Sequence, residues 1–110
     1  MPSQSTSLNP QEREDFAVNV KIDSSATLGL LVRASRKAMN LRQDDAAGSI
    51  GVSENFLGKV ERGGERVQWG KLFRVLRELG LELYVEVPEH YAGPTRHHLQ
   101  RLMYKADGVN

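Results

Sequence analysis

Residues 41–63, LRQDDAAGSIGVSENFLGKVERG, contain two short helical patterns joined by a turn with a glycine. Two helices that cross closely need a small residue at their contact, and Ala47 is placed for that role in the first pattern. Residues 50–52 form the turn, and residues 53–60 form a second helix with a polar outer face. This pattern predicts a helix-turn-helix, whose second helix is suited to the major groove of DNA.

The composition restricts what the rest of the chain can be. With 110 residues and 39% hydrophobic content, we expect one modest core with terminal appendages. The absence of cysteine excludes disulfides and cysteine zinc sites. The sequence has neither an apolar run of membrane-spanning length nor a signal-peptide core, so we expect a cytoplasmic, nucleoid-associated protein with no membrane partner.

Positive charge is concentrated in the middle of the chain. Residues 27–80 contain ten Lys/Arg against six Asp/Glu, whereas residues 1–26 contain two against four and residues 81–110 contain three against four. The excess coincides with the helix-turn-helix, which favours a nucleic-acid partner for that part. A solvated surface could show the same imbalance, so the charge alone does not decide.

Apolar residues at helical spacing predict three further helices. One spans residues 26–39, with an N-cap at Ser25 or Thr27. Another spans residues 69–79, and its spacing predicts an inward face of Trp69, Leu72, Phe73, Leu76 and Leu79. After a linker, a last helix is predicted over residues 95–106.

Two segments alternate with period two, which is the pattern of a half-buried strand. They are residues 16–22 and residues 81–87, and Pro88 ends the second. A strand needs a hydrogen-bonded neighbour. Residues 81–87 therefore pair with residues 16–22, with the same segment of a second copy, or with both. The expected dimer contacts are Leu81, Leu83, Tyr84, Val85 and Val87.

Residues 28–83 resemble the Xre family of helix-turn-helix regulators, which includes lambda repressor and Cro, and within it the HipB-like antitoxins. The motifs are Leu41, Gln43, Ala47, Ile50-Gly51-Val52-Ser53, Leu57 and Val60-Glu61-Arg62-Gly63. The departures are Arg42 for the usual Thr, Ala46 for Leu, and Gly58 where Ser is common. The resemblance implies a mainly α, lambda-repressor-like domain of four or five helices, with a short C-terminal strand forming a small dimer sheet. The expected division is a flexible arm at residues 1–15, a DNA-binding and dimerisation domain at 16–87, and an extension at 88–110.

The resemblance also implies which residues contact DNA. Gln43 would bind a phosphate, while Glu54, Asn55 and Phe56 would face the major groove, where their side chains match cytosine, adenine and the thymine methyl. The whole expected set is Arg42, Gln43, Ser53, Glu54, Asn55, Phe56, Lys59, Arg62 and Arg66. Phe56 could instead turn into the core. Glu61 is expected to be a structural partner of the helix ends.

The resemblance implies a homodimeric repressor that binds a palindromic double-stranded operator in its own promoter. It further implies an antitoxin of a HipBA-type module that restrains a HipA-like Ser/Thr kinase. A stand-alone Xre-family regulator without a toxin is the alternative.

We do not expect an enzyme, because His90, His97 and His98 belong to no motif that positions a nucleophile. Adjacent helical side chains point about 100° apart, so His97 and His98 do not match a chelating pair. No cofactor or metal is predicted.

Overall fold

A computed structural model of the chain describes residues 17–106, which form five α-helices and one short 3₁₀ helix. The helices are α1 (Ser25–Ala38), α2 (Gln43–Ile50), α3 (Glu54–Glu61), α4 (Trp69–Glu78), the 3₁₀ helix Glu89–Tyr91 and α5 (Ala92–Ala106). They fall into two compact units that divide between Gly80 and Leu81. The mainly helical fold is as predicted. None of the described helices has the length and apolarity that a bilayer crossing requires.

Parts of the predicted domain division lie outside the described residues. The arm at residues 1–15 is one such part, as are the first residue of the predicted N-terminal strand and residues 107–110. The predicted boundaries between arm, domain and extension therefore stay predictions.

The start of α1 differs from the predicted one by one residue. Ser24 is the N-cap, and its hydroxyl accepts a hydrogen bond from the Thr27 amide at 3.1 Å. The predicted caps Ser25 and Thr27 are therefore wrong. The Ser25 hydroxyl instead donates to the carbonyl oxygen of Gly63 at 2.9 Å, which joins the start of α1 to the residues after α3.

The core of the first unit is formed by α1 to α4. Its buried apolar residues are Val32, Ala46, Ala47, Ile50, Leu57, Val60, Val75 and Leu76. Ala47 is among them, which confirms it as the small contact residue that the motif requires. Gly29 allows α1 to approach the end of α3, because a Cβ there would lie 2.9 Å from the Glu61 carbonyl oxygen and 3.0 Å from the Gly63 nitrogen.

The buried face of α4 is not the predicted one. Trp69 is 71% exposed and Phe73 is 41% exposed, with ring centroids 5.8 Å apart, so their predicted place in the core is wrong. The inward face centres on Val75 and Leu76, which are fully buried, and is flanked by Leu72 and Leu79. Positions 72, 75, 76 and 79 also follow helical spacing, so the sequence permitted two overlapping faces.

Neither alternating segment is a strand among the described residues. Residues 17–23 and 81–88 contain neither helix nor strand, so the described residues of one chain do not support the predicted strands, and the pairing of residues 81–87 with a second copy stays a prediction. Alternation specifies which side chains share a face, but a strand also needs a hydrogen-bonded neighbour. The Tyr84 hydroxyl donates to Glu82 Oε1 at 2.6 Å, so these two side chains lie on the same side of the backbone.

The second unit begins its helix earlier than predicted. The predicted linker is largely the 3₁₀ helix Glu89–Tyr91, and α5 follows it directly at Ala92. The predicted start of the helix at Thr95 therefore lies one turn inside α5. Pro94 lies in the first turn, where the amide that proline lacks has no partner within the helix.

Candidate nucleic-acid interface

The turn between α2 and α3 depends on Gly51. Its φ of 93° is in the left-handed region that favours glycine, and its amide donates to the carbonyl oxygen of Ala47 at 2.9 Å. The Val52 amide donates to the same oxygen at 3.0 Å. From α4, Arg74 Nη1 donates to the Gly51 carbonyl at 3.2 Å. The turn predicted from residues 50–52 is present, and α4 contacts it directly.

Ser53 sets the first turn of α3. Its backbone is extended, and its hydroxyl accepts a hydrogen bond from the Phe56 amide at 3.0 Å, which confirms it as the N-cap. Such a cap satisfies one amide that has no partner within the helix. The exposed residues Glu54 and Asn55 are held in this turn.

A buried ion pair joins α1 and α3. Arg36 Nε lies 2.7 Å from Glu61 Oε2, and Arg36 Nη2 donates to Glu61 Oε1 at 2.9 Å. The two residues are only 8% and 6% exposed. Arg36 Nη1 also donates to the Leu41 carbonyl at 2.9 Å, and Gln43 Nε2 donates to Glu61 Oε1 at 3.1 Å. One carboxylate thus connects α1, α2 and α3, which confirms the structural role expected of Glu61.

The surroundings of this pair keep both groups ionised. Burial by itself raises the pKa of the Glu61 carboxyl. The hydrogen bonds from Arg36 and Gln43, with the charges of Arg36 and Arg33, outweigh that effect and hold the pKa below its usual value. The hydrogen bond to Glu61 raises the pKa of the Arg36 guanidinium, although burial opposes it. The pair therefore persists at neutral pH.

The predicted DNA-contacting residues of α3 differ in exposure. Glu54, Asn55 and Lys59 are exposed on α3, and Arg62 is exposed at its C-cap. Phe56 is half-buried, and Lys71 Nζ from α4 lies 5.8 Å from the centroid of its ring. Its ring is therefore shared between the surface and the contact with α4.

The predicted residues outside α3 are arranged in different ways. Arg42 precedes α2 and makes no capping hydrogen bond with its side chain. Its guanidinium binds Asp44 through two contacts of 3.1 Å. Such an exposed pair contributes little to stability, so it offers little resistance to exchange for a phosphate. Gln43 is half-buried against Glu61, and Arg66 is exposed in the loop before α4.

Arg33 was missed in the sequence-based set. It lines a cleft of about 310 Å³ together with Arg36, Gln43, Gly58, Glu61 and Arg62. The sequence did contain an indication of this position, because residues 33 and 36 are three apart and therefore share a face of α1.

The two helices α2 and α3, held together through their turn and through Glu61, and the polar outer face of α3 define a helix-turn-helix domain. Over 68 residues the chain is 41% identical to the uncharacterized HTH-type transcriptional regulator y4mF of Sinorhizobium fredii (strain NBRC 101917 / NGR234). That match spans 62% of this chain and 90% of the relative. The chain belongs to the helix-turn-helix transcriptional regulators. No family model matches it.

Solved structures support the same fold. A chain of the HipA-HipB-O2-O3 complex matches with a TM-score of 0.58 and 20% identity, covering 64% of this chain and all of that one. A chain of the HipB-O4 20mer complex matches with the same TM-score, identity and coverage. At this identity the likeness concerns the fold, and it agrees with the Xre- and HipB-like resemblance of the sequence.

Proposed function

We propose that the chain is a repressor that reads an operator through α3. The observation that carries this proposal is the exposed polar face of a capped helix, with Glu54 and Asn55 in its first turn and Lys59 and Arg62 at its end. Asparagine and glutamate match base edges in the major groove, whereas lysine and arginine bind phosphates. The likeness in fold to a chain solved in the HipB-O4 20mer complex supports the proposal.

The proposed repressor is a homodimer that pairs through residues 81–87. Leu83, Tyr84 and Val85 are 52%, 81% and 85% exposed, so their side chains are available to a second copy. The Tyr84–Glu82 hydrogen bond places two side chains on one side of the backbone, as in a strand. An unpaired strand offers its backbone N–H and C=O groups to a second strand. The dimer would bind a palindromic operator with half-sites about 34 Å apart.

The finer role that we propose is antitoxin of a HipBA-type module, which represses its own operon and restrains a HipA-like Ser/Thr kinase. Its support is the likeness in fold to a chain of the HipA-HipB-O2-O3 complex over the whole of that chain. The alternative is a stand-alone Xre-family regulator without a toxin. What supports this alternative is the identity of 41% to a relative described only as a transcriptional regulator, against 20% to the chain of the HipA-HipB-O2-O3 complex.

Two measurements on the full chain test the repressor. Light scattering at micromolar concentration should give a dimer, and Tyr84→Pro should give a monomer, because proline cannot donate its amide to a strand pair. Fluorescence anisotropy should show a preference for the DNA upstream of its own gene over a shuffled duplex. A monomeric parent that binds both duplexes equally would contradict the proposal.

Co-purification with the product of the adjacent gene separates the antitoxin from the stand-alone regulator. An antitoxin should form a stoichiometric complex with a kinase-like neighbour and lower its autophosphorylation. If that kinase-like protein stays unbound and fully active while operator binding is intact, the stand-alone regulator is the correct assignment.

A further inference from the structure

The apolar side chains of α5 form a stripe that its own chain leaves uncovered. Leu99, Leu102 and Met103 are three or four residues apart, so they lie on one side of the helix. Each is more than half exposed, and no residue of α5 is buried. The helix packs against the 3₁₀ helix Glu89–Tyr91 that precedes it. The stripe is therefore available to another surface.

The segment of residues 81–87 also has an uncovered apolar face. Leu81, Leu83, Val85 and Val87 alternate with polar residues, so they share one face when the segment is extended. In the proposed dimer, two copies of this segment form a ribbon of two strands. Such a ribbon is marginally stable in water on its own and needs a further strand or a helix packed on its apolar face. The dimer therefore requires an element that covers this face.

The length of α5 matches that of the segment. Its 15 residues extend about 22 Å at the rise of an α-helix. Seven residues of strand extend about 23 Å. Within one chain the two do not cover each other, because α5 follows the 3₁₀ helix directly at Ala92 and both apolar faces stay exposed. A second copy can supply to each of them the surface that its own chain does not.

Charge in the second unit is separated along the chain. Residues 81–91 contain three Asp/Glu and no Lys/Arg, whereas α5 contains three Lys/Arg and no Asp/Glu. Two copies of α5 side by side would therefore repel each other, while α5 of one copy attracts residues 81–91 of another. None of the six charged side chains forms an ion pair within residues 17–106. They are Glu82, Glu86, Glu89, Arg96, Arg101 and Lys105.

We propose that α5 of each copy in the homodimer packs on residues 81–91 of the other copy. The stripe of Leu99, Leu102 and Met103 covers the apolar face of the second copy's strand, and the basic side chains of α5 lie near its acidic ones. The inference rests on the proposed dimer and adds a reciprocal exchange of helices to the pairing of strands. The second unit, which buries no residue among 81–106 in one chain, acquires its core from this exchange.

The first arm of the test compares Leu102→Ala with Tyr104→Ala in the full chain. The two side chains are 64% and 61% exposed, but they point about 200° apart around the helix. Sedimentation equilibrium measures the Kd of the dimer. L102A should raise it at least about tenfold, because a symmetric dimer loses two buried leucines. Y104A should change it less than about threefold. Equal Kd values for the two variants would overturn the proposal.

The second arm exchanges the charges between the two surfaces. One variant reverses α5 with R96E, R101E and K105E, and the other reverses the acidic segment with E82K, E86K and E89K. Each alone should dimerise at least about tenfold more weakly, because like charges then face each other in both contacts. An equimolar mixture should form a heterodimer about as tight as the parent dimer, because each contact again joins opposite charges.

Two results of this exchange would overturn the proposal. If both variants are weakened and the mixture shows no recovery, the contact is made within one chain. If the variant with the reversed acidic segment dimerises like the parent, α5 does not contact that segment. Circular dichroism of each variant shows that the helices are retained, so a lost dimer is not mistaken for an unfolded chain.

The third arm separates a second copy from a different protein as the occupant of the stripe. L102A is tested for its dimer and for its complex with the product of the adjacent gene. An intact dimer with loss of only that complex would assign the stripe to the other protein and overturn the proposal. A parent that is monomeric at micromolar concentration contradicts the proposed dimer itself. A dimer that Tyr84→Pro dissociates and L102A does not contradicts only the role of α5.

Discussion

Residues 17–80 bury a core of apolar side chains, whereas residues 81–106 bury none. The first unit buries eight apolar side chains in the core formed by α1 to α4, and it also buries the Arg36–Glu61 ion pair. Among residues 81–106 no residue is buried, and Leu99, Leu102 and Met103 of α5 are each more than half exposed. Exposed apolar groups of this kind are characteristic of interaction surfaces. Stability and the DNA-facing geometry therefore depend on the first unit, and assembly is expected to depend on the second.

The largest expected effect is at the buried carboxylate of the first unit. Glu61→Ala leaves the Arg36 guanidinium buried without its partner, so the free energy of unfolding should fall by about 3–5 kcal/mol. Urea denaturation measures it. The matched control is Glu86→Ala in the second unit, where the carboxylate is exposed and the change should be within about 0.5 kcal/mol. A similar loss in both variants would remove the distinction between the units.

Truncating one leucine in each unit tests whether apolar packing stabilises the first unit and not the second. Leu57 is 1% exposed and Leu99 is 52% exposed. Leu57→Ala should cost about 2–5 kcal/mol, because it removes packed methyl groups and leaves a cavity. Leu99→Ala should change the unfolding free energy of the isolated chain by less than about 0.5 kcal/mol. A larger effect at Leu99 would show that α5 packs into a core in solution.

Acid should destabilise the first unit in part through Glu61. The pKa of this carboxyl is lower in the folded chain than in the unfolded one, where it is about 4.3. Its stabilising contribution is therefore complete above that pH and is lost as the pH falls through the folded pKa. Thermal melts between pH 3 and 7 should show a steeper acid decline for the parent than for Glu61→Gln. Parallel declines would mean that the pair is not formed.

A smaller loss of stability than at Glu61 or Leu57 is expected at the cap of α3. Ser53→Ala removes the acceptor of the Phe56 amide and should lower the unfolding free energy by about 1 kcal/mol. Thr at position 53 should restore most of the loss, because it also caps helices. Equal stability of the alanine and threonine variants would show that the hydrogen bond contributes nothing.

The helix-turn-helix could be predicted because its determinants are local. Gly51 supplies a left-handed turn residue and Ser53 supplies an acceptor for the next helix, whatever surrounds them. The cap of α1 could not be assigned in this way. Ser24 and Ser25 have the same local chemistry, and the distant Gly63 carbonyl accepts from Ser25. Local rules fail where a tertiary contact decides between two equivalent residues.

The remaining errors concern neighbours that spacing does not specify. Trp69 and Val75 lie on two overlapping faces of α4, and only the positions of the other helices select the one containing Val75. Alternation in residues 81–87 gave the side-chain faces but not a pairing partner. Arg33 belongs to the cleft only because α3 places Gly58 and Arg62 beside it.

We propose that α3 divides its exposed side chains between reading bases and binding phosphates. It is tested by measuring the affinity of Asn55→Ala and Lys59→Ala for a set of operators that each carry one changed base pair, across a range of salt. N55A should lose about 1–3 kcal/mol of discrimination at one base pair and keep the salt slope of the parent. K59A should weaken binding to every duplex alike and reduce the slope by about 0.9. Indistinguishable profiles for the two variants would contradict the claim.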